Sequence, residues 1–301
     1  MDLPASVTAL GEQLRIDGEI APDPALLQDA NVFAAERERI FARPLIALDH
    51  ESRLSADGSY FRCDAAPRGL VVTREGGGRL HVLRNLCLHA GYPVCEAEEG
   101  TGQRLTCLYH GWEYTLDGRL VEPELSSRID PSRLRLPEYP LGVCNGLILV
   151  DPSGKSAAPQ PSLPRERGRV REGAAAVPAW LAGAEVVGRA KYSTTWNWKF
   201  LRYFLQSSPH LFFNNAPENC IEFGPLSFMV VQAERAVLLR IVPRFAEQTD
   251  FYMIEMIGEA ARNPDEAGAD VVAEGLRRAE TASPWFDRRL AEWYWSLMSA
   301  V

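Results

Sequence analysis

Two cysteines and two histidines stand at a spacing that few folds can use. Cys87-Leu88-His89 is followed, after seventeen residues, by Cys107-Leu108-Tyr109-His110, with Gly91 just after the first group and Gly111-Trp112 closing the second. Around them, between residues 60 and 150, short runs rich in Val, Leu, Thr and Tyr alternate with Gly, Asp and Pro, the rhythm of a small antiparallel β domain. That rhythm places the four donors on a pair of loops. Two thiolates and two imidazoles so arranged can hold a [2Fe-2S] cluster in which one iron takes both cysteines and the other both histidines. The same residue types serve structural zinc sites, although C-x-H departs from the C-x2-4-C and H-x3-5-H spacings of zinc fingers.

The chain has 301 residues, long enough for about two domains. Apolar residues make up 46% and charged residues 24%, which describes a folded globular protein. A formal charge of -8 offers no general attraction for phosphate backbones, so nucleic acid is not an expected partner. The longest apolar stretches, residues 147–150 and 228–231, fall far short of a membrane span, and the first residues carry neither a basic nor an apolar export region. Six cysteines without a secretory context favour metal ligation or burial over a disulfide framework, and a cytoplasmic location is expected.

The expected organisation is a helical lead-in over 1–45, a β domain over 46–150, a linker over 151–185 rich in Pro, Ser, Ala, Gly and Arg, and a second domain over 186–301. In the second domain a helix is predicted near residues 196–206, followed by strands near 226–232, 236–243 and 250–258. Two C-terminal helices close the chain. The last is predicted to start with Ser283 as N-cap and Pro284 in the first turn, with Leu290, Trp293, Tyr294, Leu297 and Met298 on one apolar face. The fold class is therefore α+β: an all-β first domain and an antiparallel sheet covered by helices. In the linker, Arg165, Arg167, Arg169 and Arg171 could dock an acidic electron donor, though a charge run of this kind is usually just solvated.

The ligand pattern, with Gly91 and Tyr109-His110-Gly111-Trp112, resembles the Rieske iron-sulfur proteins. That resemblance implies that Cys87 and Cys107 bind one iron and His89 and His110 the other. Rieske proteins of respiratory complexes carry an extra cysteine on each loop; here Cys95 follows the first loop and the second has no partner for it. Free-standing Rieske ferredoxins are far shorter. The chain is most similar to the Rieske non-haem iron oxygenases (ring-hydroxylating oxygenases), whose α subunits join a Rieske domain to a larger helix-grip domain. The likeness includes residues 141–150 at the close of the first domain and Asn197-Trp198-Lys199 at the opening of the second. Where the family commonly has Arg after the first histidine ligand, this chain has Ala90.

Members of that family activate dioxygen at a mononuclear iron held by two histidines and a carboxylate. Laid onto this chain, the family's two histidines fall on His210 and Asn215, its Glu-Asn pair on Tyr203-Phe204, and its bridging acid near Ser207. Only five histidines exist: His50, His81, His89, His110 and His210. Two are taken by the cluster and only His210 lies in the second domain. Glu218, Glu222, Asp250 and Asp287 read as ordinary surface acids. His210 itself reads as a structural helix-end histidine, or a remnant iron ligand. The aromatic groups Trp196/Trp198 and Trp293/Trp295 read as core rather than as a substrate cage.

The resemblance implies a cluster-bearing oxidoreductase subunit whose own mononuclear Fe(II) is expected to be absent. It would accept electrons from a ferredoxin or flavin reductase and relay them to the iron of a catalytic oxygenase subunit in a trimer-based hetero-oligomer. Two alternatives stay open: a complete monooxygenase or demethylase with unusual iron ligation at His210, Asn214 or Asn215, and a non-redox module holding zinc and a small apolar ligand.

Overall fold

The computed structural model describes residues 2–16, 19–41, 45–65, 68–121, 134–153, 165–166, 169–170, 176–208, 219–261 and 287–300. The chain divides into two compact units, Leu45–Ser162 and Met1–Pro44 together with Leu163–Val301.

The unit Leu45–Ser162 is all β among its described residues, apart from one short 3-10 turn. Its strands are β1 (Ile46–His50), β2 (Ser59–Ala65), β3 (Arg68–Arg74), β4 (Leu80–Arg84), β5 (Glu99–Thr101), β6 (Arg104–Thr106), β7 (Glu113–Thr115), β8 (Leu120–Val121), β9 (Glu138–Tyr139), β10 (Leu141–Cys144) and β11 (Leu147–Val150). A central antiparallel sheet runs β5-β2-β3-β4-β9, with three-stranded sheets β1-β11-β10 and β6-β7-β8 beside it.

Successive side chains on a strand point to opposite faces, and here β3 and β4 are apolar on both faces. Phe61, Cys63, Leu70, Val72 and Val82 face a core shared with Ile46, Leu48, Ile148 and Val150. Val71 and Leu83, one residue out of phase, face a second core with Leu105, Tyr114, Cys87 and Cys107. Burial on two faces accounts for the apolar runs at residues 70–72 of β3 and 82–83 of β4, whereas β2 alternates buried and half-buried residues. The β10–β11 hairpin turns through Asn145 and Gly146, both at positive φ, the two-residue turn that suits strand twist.

The other unit contains α1 (Ala5–Gln13), α2 (Ala25–Gln28), α3 (Ala30–Glu36), continued by a π turn at Arg37–Phe41, then α4 (Trp198–Ser207) and α5 (Arg288–Ser299). Two short strands, β12 (Arg165–Glu166) and β13 (Arg169–Val170), pair with each other. The main sheet has the antiparallel order β14-β18-β17-β16-β15, from β14 (Glu185–Thr194), β15 (Asn219–Glu222), β16 (Ser227–Gln232), β17 (Arg235–Phe245) and β18 (Gln248–Ile257).

Residues expected to form a lead-in contribute directly to this unit's core: Val7, Leu10, Leu26, Val32, Ile40 and Phe41 pack with Trp198, Leu201, Phe228, Leu239 and Phe251. The predicted helix near 196–206 is present as α4, capped by Asn197, whose side chain accepts from the Lys199 amide. Of the two predicted C-terminal helices, α5 is described, and its start corrects the expectation. Asp287, not Ser283, is the N-cap, accepting from the Leu290 amide at 2.8 Å. Asp was overlooked because Ser-Pro is the stronger sequence signal, yet an Asp carboxylate caps as well as a serine hydroxyl and adds charge at the positive helix end. Ser283 and Pro284 lie outside the described residues.

Three helices meet at one buried carboxylate. Glu36, fully buried at the end of α3, takes hydrogen bonds from Lys199 Nζ (2.6 Å) and Trp198 Nε1 (2.7 Å) of α4 and from Tyr294 OH (2.7 Å) of α5. Burial presses the Lys199 ammonium below its ordinary pKa, against the pull of Glu36, and raises the Tyr294 phenol well above its own. Removing one partner strands a charge in the core. Glu36→Ala is therefore expected to destabilise this unit by about 3–5 kcal/mol. Urea unfolding followed by tryptophan fluorescence reads the loss, since every tryptophan except Trp112 lies in this unit. A change below about 1 kcal/mol would show that the node carries no such weight.

Candidate iron-sulfur site

Two turns of the same build carry the Cys/His motif. The first leaves the end of β4, and the second is the connection between β6 and β7. In the first, Gly91 N–H donates to Cys87 O (2.9 Å) and Cys87 N–H to Tyr92 O (2.7 Å). In the second, Gly111 N–H donates to Cys107 O (2.9 Å) and Cys107 N–H to Trp112 O (2.9 Å). Gly91 and Gly111 sit at φ +72° and +71°, a region that favours glycine, which explains the glycine at each matching place. The two turns share one backbone plan, and the histidine is moved by a single position, to His89 in the first and His110 in the second. The unequal spacings C-x-H and C-x-x-H follow from that shift.

Cys87 and Cys107 are buried, at 5% and 2% exposure, whereas His89 and His110 are exposed. The two imidazoles meet edge to face with ring centroids 4.4 Å apart, and Trp112 stacks on His89 at 5.0 Å. Burial pushes the Cys107 thiol up, while the amide N–H groups of Tyr109 and His110 act the other way by pointing at its sulfur. Amide donors around a sulfur suit a metal-bound thiolate, because ligation removes the thiol proton and leaves negative charge there. Tyr114, buried on β7, accepts from the Leu88 amide at 3.0 Å and places its hydroxyl 3.2 Å from Cys87 Sγ. Asn85 ties down the chain around the first loop, donating to Cys95 O and accepting from the Cys95 amide, each at 2.8 Å. Cys95 is a free, buried thiol.

The donors therefore come as a pair of sulfurs in the interior and a pair of rings at the surface. Among the described residues no group of three or more His, Cys, Asp or Glu converges on a single ion. A two-iron cluster asks each iron for two protein ligands, one pair of each kind, and the residues fit that demand. Tyr114 and Asn85 were missed at the sequence level. Both act through side-chain polar atoms on partners 10 or more positions away, which no local spacing reveals.

Among the described residues of the other unit, the acids noted in the sequence are engaged. Asp250 is not a surface acid: it is 5% exposed, accepts from Ser193 Oγ and pairs with Arg244 and Lys191. Burial opposes its ionisation, yet these partners hold its carboxyl below the ordinary value. Asp287 is the α5 cap and accepts from Tyr203 OH, and Glu222 pairs with Arg202. Arg202 is itself buried, with its guanidinium 4.5 Å from the Trp293 ring centre. Trp196 and Trp198 are core, and Phe204 packs on Trp196. In the first unit, His50 Nδ1 pairs with Ser52 and its ring packs against Gly146, and His81 lies between Glu138 and Glu75. His210, Asn214, Asn215, Glu218, Arg167 and Arg171 lie outside the described residues, and Arg165 and Arg169 are described only as backbone in the β12–β13 ladder.

The family of Rieske [2Fe-2S] domains matches residues 45–140. The chain is 34% identical over 99 residues to the benzene 1,2-dioxygenase subunit alpha of Pseudomonas putida, a match covering 33% of this chain and 22% of that protein. It thus spans about a fifth of the length of such curated relatives. The solved structure of the quaternary ammonium Rieske monooxygenase CntA in complex with L-carnitine superposes with a TM-score of 0.65 at 17% identity, over 92% of this chain and 84% of that one. The naphthalene 1,2-dioxygenase of a Rhodococcus species gives 0.60 at 19% identity, over 97% and 85%. These likenesses define first a Rieske [2Fe-2S] domain joined to a second, antiparallel-sheet unit of the oxygenase fold. Residues 45–140 belong to the family of Rieske [2Fe-2S] domains, and the chain is similar to the α subunits of ring-hydroxylating Rieske oxygenases. Among the described residues no helix is long and apolar enough to cross a membrane.

With a cluster bound, the Tyr114 hydroxyl is placed to hydrogen-bond the Cys87 sulfur, which favours the more negative reduced state. Tyr114→Phe keeps the ring and removes that bond, so the reduction potential is expected to fall by about 20–60 mV. A redox titration followed by visible absorption measures it; an unchanged potential would mean that the hydroxyl does not reach the sulfur.

Proposed function

We propose that this chain is the electron-carrying subunit of a Rieske oxygenase, an oxidoreductase component that takes electrons from a ferredoxin or flavin reductase and passes them to the mononuclear iron of a catalytic partner subunit in a trimer-based hetero-oligomer. Cys87 and Cys107 would hold one iron of the cluster, and His89 and His110 the other. When bound, such a cluster accepts and gives up single electrons, and its two neutral ligands raise its potential above that of an all-cysteine cluster. The residues divide the remaining work. The buried cysteines keep the sulfurs away from water, Tyr114 and the amides of Tyr109 and His110 face those sulfurs, and the exposed rings of His89 and His110 offer the edge through which a partner is reached.

The observation that carries this reading is the pair of matched turns, with sulfurs inside and imidazoles outside. The relay part rests on the number of histidines. Of five, two stand at the turns, and His50 and His81 are held by neighbours in their own unit, leaving His210 as the sole imidazole in the sequence of the second unit. An ordinary two-histidine iron triad needs one more.

Iron, acid-labile sulfide and zinc per chain, measured on anaerobically purified protein, test the reading. About two irons and two sulfides are expected. Both should persist in His210→Ala and disappear in Cys87→Ser. About three irons per chain, with the third lost in His210→Ala, would instead make this chain a complete monooxygenase or demethylase with its own oxygen-activating iron. Zinc without sulfide would make it the non-redox module.

A further inference from the structure

Each ligand turn is closed on itself by its own two backbone hydrogen bonds, but each ligand pair is drawn from both turns. The distance between the turns therefore decides whether a sulfur pair and an imidazole pair are both available. On the buried side, Tyr114 ties the second hairpin to the first turn through Leu88 N–H and Cys87 Sγ. On the solvent side aromatic contacts link the turns: His89 with His110, His89 with Trp112, and Tyr92 with Tyr109. Cys95, the other cysteine in the vicinity, is a free thiol, so these links are non-covalent.

Of the aromatic links between the turns, the Tyr92–Tyr109 contact is the one that involves no expected ligand. The rings stack with centroids 4.0 Å apart and planes 25° from parallel, although the residues are 47% and 52% exposed. Two half-exposed tyrosines in that arrangement are not core packing. They join residue 92, directly after Gly91, to residue 109, directly before His110, so the stack spans the opening at the level of the imidazoles. A side chain grown at Gly91 or Gly111 would meet nothing within 4 Å, which shows that the turns themselves leave this side open.

Resting on the cluster reading above, we propose that Tyr92 is a positioning residue: stacked on Tyr109, it clamps the two ligand turns across their solvent opening and sets how long the cluster is retained. The clamp works through ring contact, since nothing in the stack requires the hydroxyl. Tyr109 also packs on the His110 ring at 3.8 Å, whereas the ring contact of Tyr92 is with Tyr109, so loss of the Tyr92 ring acts on separation of the turns and leaves the electronic character of the bound cluster alone.

The test uses the full chain loaded with its cluster. Release of iron to a colorimetric chelator is timed in wild type, Tyr92→Ala, Tyr92→Phe, Tyr109→Ala and the double alanine variant. A stacked aromatic pair is worth a factor of about 3 to 10, so Tyr92→Ala should release iron about 3 to 10 times faster, with Tyr92→Phe at the wild-type rate. Visible absorption and the paramagnetic signal of the reduced protein should be unchanged in Tyr92→Ala before release begins. The double variant should be no faster than the faster single variant, because either substitution already removes the contact. Release from Tyr92→Ala at the wild-type rate, or strictly multiplicative effects of the two alanines, would overturn the clamp while leaving the cluster reading intact. Wild-type protein without two irons and two sulfides would overturn the cluster reading, and the clamp with it.

Discussion

The geometry of the site depends on one backbone device used twice. A five-residue span from cysteine to glycine, closed by an amide-to-carbonyl bond at each end, turns the chain sharply and leaves the cysteine pointing inward. The glycine is required because the turn passes through positive φ, where a side chain is strained. Set side by side, the two turns sort their donors by depth. Sulfur, which tolerates an apolar setting, goes inside, and imidazole, with a ring nitrogen to spare after ligation, stays at the surface. The sheets of this unit supply the rigid frame: β4 and the β6–β7 hairpin launch the turns, and Val71, Leu83 and Tyr114 fill the space beneath the cysteines. A site assembled on strand ends is held more closely than one on free loops.

Much of this was legible in the sequence. The four donors and their spacing point to a two-iron cluster, and the strand-and-turn rhythm points to a β domain. What the sequence conceals is that C-x-H and C-x-x-H are one turn with the histidine displaced by a residue. That equivalence lies in φ angles and carbonyl partners, not in residue identity. Tyr114 and Asn85 are invisible for a related reason, since each contributes through atoms brought together from 10 or more positions away. In the second unit, helix α4 and strands β16, β17 and β18 were legible from their apolar patterns. The cap of α5 was not, because Ser-Pro and Asp compete for that role and only the helix's actual start decides between them.

Acidic residues are the hardest type to read from sequence. Glu36 looks like one more charge in an Arg- and Glu-rich helix, yet it is fully buried and joins α3, α4 and α5. Asp250 looks like a surface acid and is enclosed by Ser193, Lys191 and Arg244. In both cases tertiary partners offset the desolvation that would otherwise exclude a charge. The Asn197-Trp198-Lys199 segment gains a physical meaning from this. Asn197 starts the helix, while Trp198 and Lys199 deliver two donors to the same carboxylate. The segment thus fastens the N-terminal residues to the second unit.

Among the described residues of the second unit, the acids singled out in the sequence are committed to protein partners. Its acids at positions 222, 250 and 287 are bonded to arginine, lysine, serine and tyrosine partners, and withdrawing any of them to bind iron would leave a buried or capped group unsatisfied. Arg202 sharpens the point for Glu222, because its guanidinium is buried and has that carboxylate as its ionic neighbour. At positions 203 and 204, a phenol bonded to Asp287 and a phenyl packed on Trp196 stand where family resemblance sets a Glu-Asn pair. Both side chains pack or brace within this unit. Helix α4 is thus tied to its neighbours through Trp198, Lys199, Arg202 and Tyr203.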